Sequence, residues 1–84
     1  MRLARHVKFR EEKFGGVVFE TRSEKVYTLN PTAAAVLREI QAGSTEAEIR
    51  DRLRDRYAAD DSSAIDRELA ALIADLRSKG LVED

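Results

Sequence analysis

The sequence predicts an α+β fold of the winged helix-turn-helix type, in which a three-stranded antiparallel sheet is followed by three helices. Apolar and polar residues alternate with a period of two up to residue 29, which is typical of half-buried strands. The period then changes to that of amphipathic helices, and strands followed by helices are typical of α+β domains. With 84 residues, we expect a single domain spanning 1–84 with a thin core.

The three predicted strands are short and are joined by turns of hairpin length. Their expected bounds are about 6–11, 16–21 and 25–29. Gly15 and Gly16 supply the first turn and the polar stretch TRSEK supplies the second, so neighbouring strands should pair antiparallel. If the first strand lies beyond the second, the third strand is an edge of the sheet. The sheet residues expected to face the core are Phe9, Val17, Phe19, Tyr27 and Leu29.

Asn30 and Pro31 mark the change from strand to helix. Asparagine is a preferred N-cap residue, and proline at the first helical position lacks only an N–H that would have no helical partner. The second helix opens with Thr45 and Glu48 at the spacing of a capping box. The helices are expected at about 31–42, 45–58 and 63–79, after which residues 81 and 82 should fold back onto the core.

Composition excludes several classes of function. A net charge of −1 gives no overall attraction to phosphate or anionic lipid, so neither nucleic acid nor membrane is an expected partner. There is no cysteine and a single histidine, His6, and a catalytic or metal-binding imidazole needs partners. We therefore expect no catalytic residue, no metal and no cofactor. Without a long apolar segment, the protein is expected to be cytoplasmic.

An unpaired edge on the third strand would offer its backbone N–H and C=O groups to an incoming peptide. The strand residues of this candidate site are Lys25, Val26, Tyr27, Thr28 and Leu29. On one flank of the third helix, Ile73 could form an apolar pocket wall and Ala70 would let another backbone approach closely. Asp66 and Arg77, on the same flank, could select charged side chains of a peptide. The alternative is that Ile73 is a core residue and the alanine simply favours the helix.

Four segments, in a fixed order, carry a family resemblance. They are FGGVVFE, VYTLNPTAAAVLREI, AGSTEAEI and IDRELAALIADLRSKGLV. Together they resemble the PqqD-like proteins, a family of peptide-recognition domains used in the biosynthesis of ribosomally made, modified peptides. The resemblance extends from about Val7 to Val82. It implies a three-stranded sheet against three helices, with a peptide-binding cleft between the third strand and the third helix.

The resemblance also implies a function, that of a non-catalytic peptide chaperone. In such proteins the leader segment of a precursor peptide is added as a further strand and is presented to a modifying enzyme, often a radical S-adenosylmethionine enzyme. Carried over by position, the binding strand is Lys25 to Leu29. The helix positions carried over are Asp66, Ala70, Ile73 and Arg77.

Two other classes of function remain open from the residues alone. A winged helix can bind DNA through its third helix, but here the cations Arg67, Arg77 and Lys79 are interspersed with acidic residues. The strand edge could instead pair with a copy of itself in a structural or oligomerisation subunit. The expected state of the peptide-binding protein is a monomer or a homodimer.

Overall fold

The structure, a computed structural model, describes residues 1–57 and 62–83. Its elements, in chain order, are β1 (Arg2–Leu3), β2 (Val7–Glu12), β3 (Gly15–Glu20), β4 (Lys25–Leu29), α1 (Pro31–Gln41), α2 (Glu46–Tyr57), α3 (Ser62–Ser78) and β5 (Val82–Glu83). The predicted fold class, three antiparallel strands before three helices, is confirmed. Residue 58, the expected end of the second helix, lies outside the described residues.

The strands form two sheets. β2, β3 and β4 lie in that spatial order, and each neighbouring pair is antiparallel. β1 and β5 pair as a separate ribbon, which the sequence pattern does not predict because strands of two residues are too short to show alternation. The Arg2 Nε donates to Glu83 Oε1 at 3.0 Å, and the Ala4 N–H donates to the Leu81 carbonyl at 2.9 Å. Leu81 and Val82 are buried, so this segment folds back onto the core as predicted.

The predicted helix starts are present as hydrogen bonds. The Asn30 Oδ1 accepts from the Ala33 N–H at 2.8 Å, with Pro31 at the first helical position. At the start of α2 the Thr45 N–H donates to the Glu48 carboxylate at 2.9 Å, which lowers the pKa of Glu48, and the Glu48 N–H donates to Thr45 Oγ1 at 3.1 Å. Both caps satisfy backbone N–H groups that have no partner inside the helix.

β3 presents the opposite face to the core from the one predicted. Val18 is fully buried, whereas Val17 is half-buried and Phe19 is 36% exposed. In the observed register Val18 lies opposite Tyr27, and Phe19 lies opposite Val26 on the outer face. The prediction of Val17 and Phe19 as core residues was wrong because the segment VVF is apolar on both faces, so alternation cannot choose between them.

The core lies between the inner face of the main sheet and the three helices. α1 packs across β3, and α2 packs against both α1 and α3. The largest side chains that are fully buried are Leu37, Ile40, Ile49, Ile73, Leu76, Leu81, Val18 and Val36. Since these come from the sheet, all three helices and the segment after α3, the core fixes the position of every element around the sheet.

The prediction that Gly15 and Gly16 form the first turn was wrong, because both residues belong to the start of β3. The turn is formed by residues 13 and 14. A Cβ on Gly15, whose φ is +143°, would lie 2.1 Å from the Leu29 carbonyl oxygen. A Cβ on Gly16 would lie 2.8 Å from the Phe9 ring and 3.2 Å from the Ala34 Cβ. The two glycines therefore let the end of β4 and the start of α1 pack directly on β3.

The other end of β4 is fixed by Glu20. Its carboxylate is buried and accepts from the Ser23 hydroxyl, from the Arg22 N–H at 3.0 Å and from the Ser23 N–H at 2.8 Å. These hydrogen bonds favour the ionised carboxylate and lower the pKa of Glu20 from its ordinary 4.5 to about 2. The turn also includes Glu24 with a φ of 59°, a conformation that a non-glycine residue adopts only with local support.

The Gly15→Ala variant should be severely destabilised because the added methyl group would overlap with backbone atoms. We expect the free energy of unfolding to fall by more than about 3 kcal/mol, measured by urea denaturation. The matched control is Gly43→Ala, which also has a positive φ of 92° but has no atom within 4 Å of the added Cβ. It should cost only about 1–2 kcal/mol. Equal costs for the two variants would show that the close approach at Gly15 is unimportant.

The Glu20→Gln variant tests the turn through its pH dependence. Because the pKa of Glu20 is lower in the folded state, its carboxylate stabilises the fold fully above pH 4.5. The melting temperature of the wild type should thus exceed that of the variant at neutral pH, and the gap should shrink as the pH falls from 4.5 to about 2. Glu24→Gln, in the same turn, controls for the loss of one negative charge. A gap that stays constant with pH would contradict this role of Glu20.

Candidate functional site

The first wall of the candidate site is the outer edge of β4. Within residues 1–57 and 62–83, β4 pairs with β3 on one side and has no strand on the other. All five residues of the predicted binding strand lie on this edge. In the observed register Lys25, Tyr27 and Leu29 share the inner face, and Val26 and Thr28 share the outer face. β4 is therefore an edge strand, as predicted.

The second wall is one flank of α3, which is identified by Lys79, the residue that directly follows the helix. The Lys79 ammonium lies 5.3 Å from the centroid of the Tyr27 ring, within the range of a cation–π interaction, and pairs with Asp75 Oδ2 at 2.5 Å. Leu72 and Glu68 precede Lys79 by seven and eleven residues, spacings that repeat on one side of a helix. We call Glu68, Leu72, Asp75 and Lys79 the β4-facing flank.

We place the floor of the candidate cleft between β4 and the β4-facing flank at the half-buried apolar residues of its two walls. Tyr27 and Leu29 from β4 and Leu72 from α3 are half-buried and pack against the core. Around this floor the side chains are exposed and charged, with Lys25 on the strand and Asp75 on the helix. Among the described elements, the closest backbone packing of α3 is against α2 and β5. An extended chain would find free backbone on one wall and apolar side chains below.

Two of the helix residues that the sequence suggested, Asp66 and Ala70, lie on the side of α3 that contacts α2. The Asp66 Oδ2 accepts from Arg54 Nη2 of α2 at 2.5 Å, and Asp66 and Ala70 line a hollow together with other residues of α2. Arg77 follows Asp66 by three helical turns and so lies on the same side. Peptide binding by these three residues stays a prediction, which the geometry does not favour.

Ile73 lies in the core, as the alternative interpretation predicted. It is only 2% exposed and belongs to the same cluster as Leu69 and Leu76. Its side chain supports the cleft from below and does not line it. Three residues of the β4-facing flank, Leu72, Asp75 and Lys79, were not predicted for the site. Their spacing marks them as one flank of a helix, but only the contact of Lys79 with Tyr27 shows which flank faces the sheet.

Possible metal ligands do not cluster in the described part of the chain. Among residues 1–57 and 62–83, no three histidine or carboxylate side chains converge as metal ligands. His6 lies away from the cleft, where its carbonyl accepts hydrogen bonds from the N–H and hydroxyl groups of Thr21. In the same part of the chain, no helix is both long enough and apolar enough to cross a membrane. The groups available for binding are the backbone of β4, the apolar side chains beside it and the charged side chains around them.

Comparison with known proteins gives a family match and structural neighbours. The family model described as coenzyme PQQ synthesis protein D (PqqD) matches residues 15–82. A solved structure of lasso peptide synthetase B1 complexed with the leader peptide is 25% identical, has a TM-score of 0.86, and the match covers 99% of this chain and 96% of that one. TbiB1 in complex with the TbiA(beta) leader peptide is 19% identical with a TM-score of 0.91, over 99% and 95% of the two chains.

No curated protein matches the sequence significantly. The family model nevertheless covers most of the chain, and its first matched residue is Gly15, whose lack of a side chain lets β3 pack against the end of β4. The solved structures have the same fold along almost their whole length. The chain therefore belongs to the PqqD family.

Proposed function

We propose that the protein is a non-catalytic peptide-recognition partner that binds the leader segment of a precursor peptide as an additional strand on β4. It then presents the bound precursor to a modifying enzyme. The observation that carries this proposal is the unpaired edge of β4 beside a cleft with an apolar floor. The choice of ligand is supported by family membership and by the similar structure, at 25% identity, of a protein complexed with a leader peptide.

Backbone pairing alone would not hold the peptide. About four edge hydrogen bonds contribute roughly 1 kcal/mol each, whereas ordering a flexible peptide costs roughly 1–2 kcal/mol per residue. Micromolar affinity requires about 8 kcal/mol of net free energy. The difference must come from peptide side chains that cover Tyr27, Leu29 and Leu72 on the cleft floor. Charged side chains around the cleft, Lys79 among them, would set the register and the choice of peptide.

The receiving enzyme and the oligomeric state are the parts of the proposal that rest on the family resemblance. The enzyme is a radical S-adenosylmethionine enzyme or another maturation enzyme, and the protein acts as a monomer or homodimer. A dimer that paired through β4 would occupy the edge that the peptide needs. Light scattering with and without peptide measures this directly, since such a dimer would dissociate when peptide binds.

The proposal predicts where a peptide changes the amide NMR spectrum. We would titrate the isotopically labelled protein with synthetic segments of the precursor peptides that are encoded beside its gene. The largest shifts are expected in Lys25–Leu29 and at Leu72 and Lys79, because these residues form the walls of the cleft. Smaller shifts are expected at Asp66 and Ala70, which face α2. Saturable shifts confined to the α2 side would refute strand addition on β4.

The Leu72→Ala variant should bind a leader peptide about tenfold more weakly than the wild type. Full burial of a leucine side chain contributes about 1.5–3 kcal/mol, and the peptide would cover the part of Leu72 that is still exposed. Ala70→Ser is the matched control on the opposite flank of α3 and should leave the Kd unchanged. Calorimetric titration of both variants, at a temperature where each is fully folded, measures the effect. Equal weakening by the two substitutions would contradict the assignment of the β4-facing flank.

A further inference from the structure

The outer face of the main sheet carries exposed apolar side chains that run towards the open edge. Val26 of β4 is 59% exposed, and its neighbour across the strands, Phe19 of β3, is 36% exposed. On the other side of Phe19, Lys8 of β2 lies opposite it at the far edge of the sheet. The row from Lys8 through Phe19 to Val26 thus changes from charged at the β2 edge to apolar at the β4 edge. Natural sheets usually place charged residues at such an edge, so an exposed apolar residue there indicates a surface that a binding partner covers.

A strand added to β4 must bring a side chain beside Val26. Side chains alternate between the two faces of a strand, and directly paired residues have Cβ atoms about 4.5–5.5 Å apart on the same face. Whichever way the added strand runs, the residue paired with Val26 points to the outer face. The adjacent residue, paired with Tyr27, points into the cleft. The row that ends at Val26 is therefore continued by one residue of the peptide.

We infer that Val26 is a specificity-determining residue, which selects a peptide with a β-branched or aromatic side chain at the outer-face position paired with it. This inference rests on the proposed function and deepens it. The peptide is recognised from both faces of its strand, so its binding segment carries two adjacent apolar residues, one over Val26 and one in the cleft beside Tyr27. Cross-strand pairs of aromatic and β-branched residues are among those that stabilise sheets.

The occupant of this apolar surface is thus a side chain of the added strand. The surface is continuous with the β4 edge, since Val26 belongs to the strand whose backbone would pair with the peptide. It is also narrow, because the other outer-face residue of β4 is the polar Thr28. One apolar side chain beside Val26 would cover the exposed end of the row and extend the contact between Val26 and Phe19 by one strand.

The test uses phage-displayed random peptides of about twelve residues, selected in parallel on the wild type, Val26→Thr and Val17→Thr. Threonine keeps the β-branched shape and strand preference of valine but replaces a methyl group by a hydroxyl. Val17→Thr makes the same change on the same face, one strand further from the edge. Peptides selected on the wild type and on Val17→Thr should be enriched in two adjacent apolar residues, and those selected on Val26→Thr should lose one of the two.

Dissociation constants then measure the contribution of the contact between Val26 and the peptide side chain paired with it. A peptide selected on the wild type should bind Val26→Thr about fivefold more weakly, which corresponds to about 1 kcal/mol, and Val17→Thr with unchanged Kd. Replacing each peptide residue by serine should identify one position where the loss is large on the wild type and small on Val26→Thr. Equal Kd values for wild type and Val26→Thr, with shifts still on β4, would overturn the role of Val26 and leave strand addition standing. If no peptide is selected on the wild type, both the proposed function and this inference fail.

Discussion

The structure depends on one constraint: among the residues that the structure describes, β4 is paired on a single side, and yet both of its ends are fixed. At its start, the Glu20 carboxylate binds the backbone of the turn that precedes β4. At its end, the Leu29 carbonyl lies directly over Gly15, and Asn30 caps α1 immediately afterwards. An edge strand without such supports would fray, because isolated strand pairs are marginal in water. Because both ends of β4 are held, its free backbone groups are preorganised. Most of the conformational entropy lost on binding is therefore lost by the added chain.

Much of this arrangement could be predicted from the sequence. The features that could not be predicted have a common physical cause. Asn30-Pro31 and the pair Thr45 and Glu48 are local signals, since the residues that cap a helix lie within the turn that they stabilise. The face of β3 is different, because VVF could bury either side and the choice is made by packing against α1. The pairing of β1 with β5 joins residues 2 and 83, and no local pattern encodes so distant a contact.

The same cause explains why the sequence suggested a different flank of α3 from the one that contacts Tyr27. A helical wheel divides α3 into a buried stripe and two flanks, but both flanks carry charged residues. Which flank faces the sheet depends on how α3 rotates against α2. The ion pair between Arg54 and Asp66 assigns one flank to α2, and the contact of Lys79 with Tyr27 assigns the other to β4. Both contacts join residues that are far apart in the sequence, so they are visible only in the folded chain.

An exposed edge with apolar residues beside it favours aggregation unless something opposes unwanted pairing. Here the opposition is electrostatic and local: Lys25 is exposed at the start of β4, and Lys79 lies over the Tyr27 ring, on the inner side of the edge. A second copy of β4 that paired with this edge would have to accommodate these lysines, and lysine is among the residues that discourage edge-to-edge pairing. A flexible peptide can place acidic or neutral side chains there instead, so the same edge that repels its copies can accept a foreign strand. The charges around the cleft thus oppose self-association through β4. A foreign peptide can still be added to this edge, as the proposed function requires.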